Sequence, residues 1–402
     1  MPLSPAAPAA TTRELIPFAA LSAAYFSHIA VVNSFISLWL KEIGYGVALI
    51  GLIASIQSFS RVAAPYAWAW LGDRTGERAK LLRMATTLAL LGSLGFFWQG
   101  GGMAWLMACL LFMYLNSSAL MPMSESALAQ IVTRGGVFDV RRHGRVRLWG
   151  SAGFMVTVLA AGAFFENFGM KYFPLAVAVG LGLLMWSAFS IPDIREDVPH
   201  EKSSRPIWQI LRQPQVAWFF GTLTLHVLSH MGLYVFFSLY CDSLGYSKTM
   251  IGVLWASAVV TEIIWFYTQG RWLPRFSLTA WLIISAAITV IRFGFTAGLG
   301  DVLWILLAAQ GLHAISFAAN HTVCTALISH HFPGSMRSRG QALYTVLGYG
   351  IPGVLGSWAG GLISEAYGLR TVFWVSTGVA GLAMLCAFKV WRLQHPAVSS
   401  GN

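Results

Sequence analysis

The sequence has few charged residues and few cysteines. Charged side chains make up only 10% of its 402 residues, whereas hydrophobic ones make up 56%. Soluble domains carry about 25% charged residues, so this composition excludes an ordinary water-soluble fold and indicates an integral membrane protein. The cysteines lie singly in or beside apolar segments, at Cys109, Cys241, Cys324 and Cys386. Their spacing matches neither a disulfide framework nor a metal site.

Acidic residues are scarcer than basic ones, and the net charge is +11. A charge of this sign can indicate nucleic-acid binding. Here, however, the basic residues lie in short loops between apolar runs, which is typical of membrane topology. We therefore expect the bilayer, and not a nucleic acid, as the partner. The first apolar run is too long for the core of a signal peptide, so we expect it to remain as a spanning helix.

Twelve apolar runs are long enough to cross a bilayer, which takes about 20 residues. They lie near 15–40, 47–71, 80–99, 103–132, 146–166, 171–191, 216–240, 249–270, 277–298, 302–330, 340–364 and 371–392. The sequence predicts an all-α membrane protein with an N-terminal six-helix bundle at 1–191, a cytoplasmic linker at 192–214 and a C-terminal six-helix bundle at 215–402. Basic residues concentrate in alternate loops. The positive-inside rule then predicts a multi-pass protein of a bacterial inner membrane with both termini cytoplasmic.

The two halves of the chain are related in sequence. The segment FISLWLKEIGYGVALIGLIASIQSFSR at 35–61 returns without a gap as FFSLYCDSLGYSKTMIGVLWASAVVTE at 236–262. Such a repeat predicts two parallel copies of one membrane unit, an arrangement that one large class of transporters builds around a central site. The two segments end on Arg61 and Glu262, which are opposite charges at equivalent depths of an apolar helix.

Four charged residues fall well inside apolar runs: Arg61, Glu125, Glu262 and Arg292. Each such charge costs about 2.5 to 3.5 kcal/mol at mid-membrane on insertion scales, and charges there are usually functional. We expect them to pair with one another, to face a wet cavity, or to be neutral during part of a cycle. Buried structural ion pairs are the alternative interpretation.

Histidines and other polar residues follow helical spacing in the first, seventh and tenth runs. In the seventh run His226, His230 and Tyr234 lie on roughly one face. The candidate substrate-binding residues of these runs are Tyr25, His28, His226, His230, Tyr234 and Asn320. They predict a lined cavity, and histidines hydrogen-bonded between helices are the structural alternative. Because no carboxylate or thiolate lies at ligand spacing, we expect no metal, and no cofactor other than a coupling proton.

The loop after the second run reads WLGDRTGERAKLL and carries Asp73, Arg74 and Arg78. It resembles the signature loop of the major facilitator superfamily, in which an acidic residue near a helix end and basic residues in the turn hold one access state. The resemblance implies a gating role for these three residues. Two positions depart from the pattern, Ala69 and Glu77. A solvated cytoplasmic turn is the alternative interpretation.

Five further segments are similar to the phenylpropionate permease family, a relative of the lactose permease branch of that superfamily. They are HGRVRLWGSAGF (143–154), MPMSESAL (121–128), VVTEIIWF (259–266), ITVIRFGF (288–295) and LHAISFAANHTVC (312–324). The resemblance implies that Glu125 and Arg147 hold the substrate. It also implies that Glu262, Arg292 and His313 take part in proton coupling.

One position departs from lactose permease. Where that protein has the glutamate that carries the coupled proton, this chain has Ser316, and a hydroxyl does not titrate near neutral pH. Coupling then requires another carboxylate, with Glu262 as the first candidate and Glu125 as the second. Burial favours the protonated form of a carboxylate and a neighbouring arginine favours the ionised form, so a glutamate that gains and loses such a neighbour can carry a proton.

These observations predict a monomeric, proton-coupled importer of a small aromatic or hydrophobic carboxylate that works by alternating access. An arginine binds a carboxylate bidentately, and Tyr25, Phe154 and Trp255 would stack on an aromatic ring. A sugar or nucleoside importer is the first alternative, a proton-driven exporter the second, and a non-transporting sensor stays open. An enzyme is not supported, because the sequence shows neither a nucleophile with its base nor a metal constellation.

Overall fold

The structure is a computed structural model, and it describes residues 11–133, 139–192, 207–333 and 336–394. The predicted linker at 192–214 lies mostly outside these residues. Its described part contains one short helix, Ile207–Leu211. The boundaries of the linker stay a prediction.

Twelve helices in the described part of the chain are long and apolar enough to cross a membrane. In chain order they are α1 (Thr12–Glu42), α2 (Val47–Gly72), α3 (Arg78–Phe97), α4 (Gly102–Thr133), α5 (Arg142–Phe168), α6 (Met170–Phe189), α7 (Pro214–Ser243), α8 (Lys248–Arg275), α9 (Leu278–Leu299), α10 (Leu303–His331), α11 (Arg339–Tyr367) and α12 (Leu369–Gln394). They coincide with the twelve apolar runs, so the prediction of twelve spanning helices is confirmed. Hydrocarbon offers no partner for a backbone polar group, which is why each span is helical.

The chain forms two compact units. The first unit comprises Met1–Trp39 and Ser60–Pro199, and the second comprises Leu40–Phe59 and His200–Asn402. The division passes through α2, so the first half of this helix belongs to the second unit.

Aromatic side chains pack the core of the first unit. Trp39 of α1 stacks on Phe173 of α6 with ring centroids 4.9 Å apart, and Phe35 meets Phe165 of α5 edge to face at 5.2 Å. All four side chains are fully buried. Because lipid tails are as apolar as these rings, close packing stabilises the contacts more than removal from water does. The rings thereby hold α1, α5 and α6 together.

A small residue brings α5 close to α1. A Cβ on Gly153 would lie 2.5 Å from the backbone oxygen of Ala23, and Ser27 Oγ donates to Gly153 O at 3.2 Å. Small residues permit such backbone approach between membrane helices. The contact anchors the middle of α5, whose first turns carry the basic residues described below.

Rings from α7, α9 and α12 pack together in the second unit. Phe373 of α12 meets Phe237 at 6.4 Å, Phe293 at 6.4 Å and Tyr240 at 4.9 Å. The hydroxyl of Tyr240 donates to Thr296 O at 3.1 Å. A buried tyrosine needs such a partner, and this one ties α7 to α9.

The sequence repeat is visible in the backbone where α1 and α7 end. Gly44 and Gly245 occupy equivalent repeat positions and have φ values of +96° and +84°. In each copy the glycine N–H donates to the carbonyl three residues earlier, and the following tyrosine N–H donates to the carbonyl five residues earlier. Glycine adopts positive φ without the strain that an L side chain would meet. Both copies therefore end this helix with the same turn.

Among the residues that the structure describes, three helices of the second unit contain a π-helical turn: Gly232–Phe236 in α7, Ala314–Ala319 in α10 and Tyr344–Gly350 in α11. A π-helical turn shifts the side chains that follow it around the helix axis, and such turns are frequent at functional sites. The first two of these turns carry Tyr234 and Phe317.

The first half of α2 packs tightly on α11 within the second unit. A Cβ on Gly51 would lie 2.5 Å from Ser357 O and 2.7 Å from Gly361 Cα. Ser55 Oγ donates to Val354 O at 2.9 Å. We call this contact the α2–α11 seam. Its glycines permit a backbone approach that larger residues would block.

One polar contact continues the seam at the first turn of α2, and another joins the ends of α1 and α7. Glu365 Oε2 accepts a hydrogen bond of 2.7 Å from the backbone N–H of Ala48, in the first turn of α2. A carboxylate is favourable there because the first N–H groups of a helix lack helical partners. Lys41 Nζ lies 3.1 Å from Asp242 Oδ2, and these two residues occupy equivalent repeat positions.

Candidate functional site

The first unit contains a cluster around Glu125. The regular helix of α4 breaks between Ser117 and Leu120, and the part after the break carries Glu125. Its Oε1 accepts from Arg147 Nη1 at 2.9 Å, and its Oε2 lies 2.8 Å from His143 Nε2. The structure thus brings together Glu125 and Arg147, and their predicted role in holding the substrate stays a prediction.

The helical register of α5 explains this cluster. His143 and Arg147 are four residues apart, so both side chains lie on the same helix face and reach one carboxylate. The side chain of Arg147 is 50% exposed and that of Glu125 is 27% exposed. The positive charge of Arg147 is therefore balanced by a carboxylate of the protein itself.

The other predicted residues of the first unit make longer or fewer hydrogen bonds. Arg61 is exposed, and its Nη2 donates to Asn33 Oδ1 at 3.5 Å. His28 is buried, and its Nδ1 has no hydrogen-bond partner among the residues that the structure describes. Tyr25 and Phe154 are partly buried.

The second unit contains a buried arginine on α9. The side chain of Arg292 is 0% exposed. Its Nη1 donates to His313 Nδ1 at 2.9 Å and to Ser316 Oγ at 3.1 Å, and its Nη2 donates to Gln310 Oε1 at 2.8 Å. The three acceptors are spaced three residues apart on α10 and share one face. The structure thus brings Arg292 and His313 together, as predicted.

His313 connects Arg292 to Glu262 of α8. An arginine N–H can only donate, so Nδ1 of His313 accepts and the ring proton of the neutral imidazole lies on Nε2. This Nε2 is 3.6 Å from Glu262 Oε2, which is longer than an ordinary hydrogen bond. The Glu262 side chain is 25% exposed. A partly accessible carboxylate is therefore joined through one imidazole to a buried cation.

Two histidines of α7 lie beside this group. His226 Nε2 donates to the backbone oxygen of Ser316 at 2.7 Å, and His230 Nδ1 donates to His226 O at 2.9 Å. Both rings are buried. Their second nitrogens, His226 Nδ1 and His230 Nε2, have no hydrogen-bond partner in the part of the chain that the structure describes.

Aromatic rings border the Arg292 group. Phe317 stacks on His313 with ring centroids 4.9 Å apart and an interplanar angle of 4°. Tyr234 meets Phe317 edge to face at 6.4 Å, and the guanidinium of Arg292 lies 5.5 Å from the ring centre of Phe293. Tyr234 and Phe317 are only partly buried. The guanidinium of Arg292 and the imidazole of His313 therefore lie beside flat apolar surfaces.

Two further predicted residues sit deeper in the second unit. Trp255 is buried, its Nε1 donates to Ser238 Oγ at 3.0 Å, and its ring packs edge to face on Phe237 at 5.6 Å. These contacts place Trp255 in the helix packing. Asn320 is buried where the regular helix of α10 resumes after its π-helical turn.

The three predicted gating residues lie at the end of α2 and the start of α3. The guanidinium of Arg74 lies 3.9 Å from the ring centre of Trp70, which is a cation–π contact. Arg78 is half-buried. The side chain of Asp73 is outside what the structure describes.

Sequence reasoning missed several of these residues. Gln310 contacts Arg292, His143 contacts Glu125, and Phe317 stacks on His313. Tyr344 was also missed, and its hydroxyl lies 2.9 Å from His321 Nδ1. Helical spacing was the available signal, because Gln310 precedes His313 by one turn and His143 precedes Arg147 by one turn.

Comparison with known proteins gives the family. A profile of the MFS_1-like family matches residues 18–375. The chain is 28% identical over 370 residues to the probable 3-phenylpropionic acid transporter of Escherichia coli (strain K12), covering 91% of this chain and 95% of that protein. It is 27% identical over 361 residues to the maltose permease of Geobacillus stearothermophilus, covering 85% and 86%.

Solved structures share the fold. The crystal structure of nucleoside transporter NupG matches with a TM-score of 0.81 at 13% identity, covering 95% of this chain and 100% of that one. A D-xylose-proton symporter matches with a TM-score of 0.72 at 14% identity, covering 94% and 98%. Twelve spanning helices, the half-chain repeat and these matches agree. The chain belongs to the MFS_1-like family and is a multi-pass membrane transporter of the major facilitator superfamily.

Proposed function

We propose that the protein imports small aromatic or hydrophobic carboxylates together with protons, by alternating access. One observation carries the proposal: Glu262 is a partly exposed carboxylate within a spanning helix, and His313 joins it to the buried Arg292. An inner-membrane location, cytoplasmic termini and a monomeric state are part of the proposal, on the basis of the loop charges and the fold.

Proton coupling requires that the proton bind one access state better than the other. Burial favours a protonated carboxylate, whereas a neighbouring cation favours an ionised one. A movement that changes the contact between Glu262 and His313 would alter both influences. Ser316 cannot titrate near neutral pH, and its hydroxyl instead accepts from Arg292. Glu262 is therefore the proposed coupling carboxylate.

An anionic aromatic substrate suits the side chains present. Arg292, Arg147 and Arg61 are cations within the spanning helices, and Tyr234 and Phe317 offer partly exposed rings. A relative from Escherichia coli is a probable transporter of 3-phenylpropionic acid. Charge and ring surface together favour an aryl carboxylate.

The test uses purified protein reconstituted in liposomes with labelled 3-phenylpropionate. Wild-type protein should accumulate the label when the lumen is more alkaline than the medium. Glu262→Gln should retain exchange of labelled for unlabelled substrate and lose gradient-driven accumulation. Glu166→Gln, which changes an exposed carboxylate at the end of α5, should behave like wild type. If Glu262→Gln still accumulates substrate, Glu262 is not the coupling residue and Glu125 becomes the candidate.

Sugar–proton symport is the second candidate function. A maltose permease is 27% identical over most of the chain, and the cluster of Glu125, His143 and Arg147 offers acceptors and donors that suit hydroxyl groups. Competition separates the two functions. Inhibition of 3-phenylpropionate uptake by aryl acids but not by maltose supports the first proposal, and the reverse pattern supports the second.

A further inference from the structure

The two arginine clusters differ in whether the protein already balances their charge. From this difference we propose that Arg292, held by Gln310, is the group that binds the carboxylate of the substrate, and that Arg147 is not. This inference rests on the proposed function, because it requires an anionic substrate.

Arg147 has an internal counter-ion. Glu125 accepts from Arg147 at 2.9 Å, so a ligand carboxylate would have to displace a carboxylate that is covalently part of the site. Arg61 is exposed and donates to Asn33 Oδ1 at 3.5 Å, so it is not enclosed among neutral acceptors. Neither arginine gains as much from an anion as a cation that is both buried and unbalanced.

Arg292 is such a cation. Its partners are an imidazole nitrogen, a hydroxyl and an amide oxygen, and among the residues that the structure describes no carboxylate forms an ion pair with it. Neutral acceptors satisfy N–H groups but do not balance a buried charge. A carboxylate ligand would supply both hydrogen bonds and the missing charge, in the bidentate geometry that a guanidinium favours.

Gln310 makes this arrangement possible. Its Oε1 lies 2.8 Å from Arg292 Nη2, which is where a glutamate of nearly the same shape would form an internal ion pair. The amide holds the guanidinium in place without neutralising its charge. Gln310 is therefore a positioning and specificity residue, which determines that this site takes an anion.

The rings beside Arg292 define the rest of the ligand. Phe317 stacks on His313, Tyr234 meets Phe317, and both rings are partly exposed. The π-helical turns of α7 and α10 carry these two rings. A carboxylate on Arg292 would place a short-chain aryl group against them, since aromatic rings prefer stacked or edge contacts at such separations. The ligand class is an aryl carboxylate with a short linker.

The test is a binding measurement on the full-length protein without any pH gradient. The probe is 3-phenylpropionate, and affinity is read from thermal stabilisation and titration calorimetry. Gln310→Glu should weaken binding by at least about tenfold, because the new carboxylate competes with the ligand for Arg292. Gln341→Glu adds the same charge at an exposed position of α11 and should leave the affinity within about twofold of wild type.

Thermal stability without ligand and a second variant show whether weaker binding results from misfolding. Gln310→Glu should melt no lower than wild type without ligand, since the change completes an ion pair. Ser316→Asp brings a carboxylate to Nη1 from the other side and should weaken binding in the same way. If instead Glu125→Gln strengthens binding while Gln310→Glu leaves it unchanged, Arg147 is the anion site and the inference is wrong.

The outcomes separate this inference from the proposed function. If Gln310→Glu loses binding and the wild-type protein shows no proton-driven uptake, the anion site is supported and proton coupling is refuted. Unchanged binding in Gln310→Glu, with proton-driven uptake intact, would refute the anion site alone. A wild-type protein that binds no aryl carboxylate would refute both.

Discussion

Replacing Gly51 by alanine should destabilise the α2–α11 seam. The new Cβ would lie 2.5 Å from Ser357 O and 2.7 Å from Gly361 Cα, where ordinary contact begins at 3.4 Å. Both atoms belong to the backbone, so no side chain can turn aside and the two helices must separate. Overpacking of this kind costs about 1 to 3 kcal/mol.

That cost falls on the conformation in which the seam is formed. If alternating access separates α2 from α11, the equilibrium should shift toward the separated conformation by about 5- to 150-fold. The assay is the rate at which a cysteine introduced at position 55 reacts with a maleimide. Ser55 is buried in the seam, so labelling requires separation. The four native cysteines, three of them buried, are first replaced.

The control is Gly182→Ala in α6. A Cβ on Gly182 would meet no atom within 4 Å, so this substitution changes helix propensity without crowding. Labelling should accelerate in Gly51→Ala and stay at the parent rate in Gly182→Ala. Equal labelling rates in the two variants would show that the seam does not limit the movement.

Two further predictions concern the hydrogen bond at Ala48 and the ion pair of Lys41. Glu365→Gln removes the charge that caps the first turn of α2 at Ala48. Such a charge contributes about 0.3 to 1 kcal/mol, so the labelling rate of the cysteine at position 55 should rise about two- to fivefold. An unchanged rate would show that the cap does not stabilise the seam. Lys41→Ala breaks an exposed ion pair with Asp242, whose side chains are 45% and 32% exposed. Such pairs contribute at most about 1 kcal/mol, so the melting temperature should shift by only a few degrees, and a larger fall would contradict this assessment.

The number of helices and the repeat were predictable because they depend on local properties. Each run of apolar residues meets the length that a bilayer requires, whatever its neighbours are. The turn at Gly44 and Gly245 also follows from sequence, since glycine is favoured wherever φ is positive. The resemblance to a known family named Glu125 and Arg147 as substrate-holding residues, and the fold brings the two side chains together in an ion pair.

The partners of the other intramembrane charges were less predictable. Arg292 and His313 were predicted to act together. Gln310 was not predicted, although its neutral amide accepts the shortest of the Arg292 hydrogen bonds. Trp255 was predicted to stack on the substrate ring, which stays a prediction, and sequence did not identify Phe237 as the ring on which it packs. Which face of a helix meets which neighbour is a property of packing, and helical spacing alone does not identify the neighbour.

By itself the sequence determined that this is a twelve-helix membrane protein with a duplicated unit and four charges at membrane depth. It did so because the hydrophobicity and length of each segment decide whether that segment spans a membrane. Only the tertiary structure decided that Glu125 balances Arg147 whereas Arg292 is buried among neutral acceptors. The physical reason is that the energy of a buried charge depends on the atoms within a few ångströms of it, and packing between distant segments supplies those atoms.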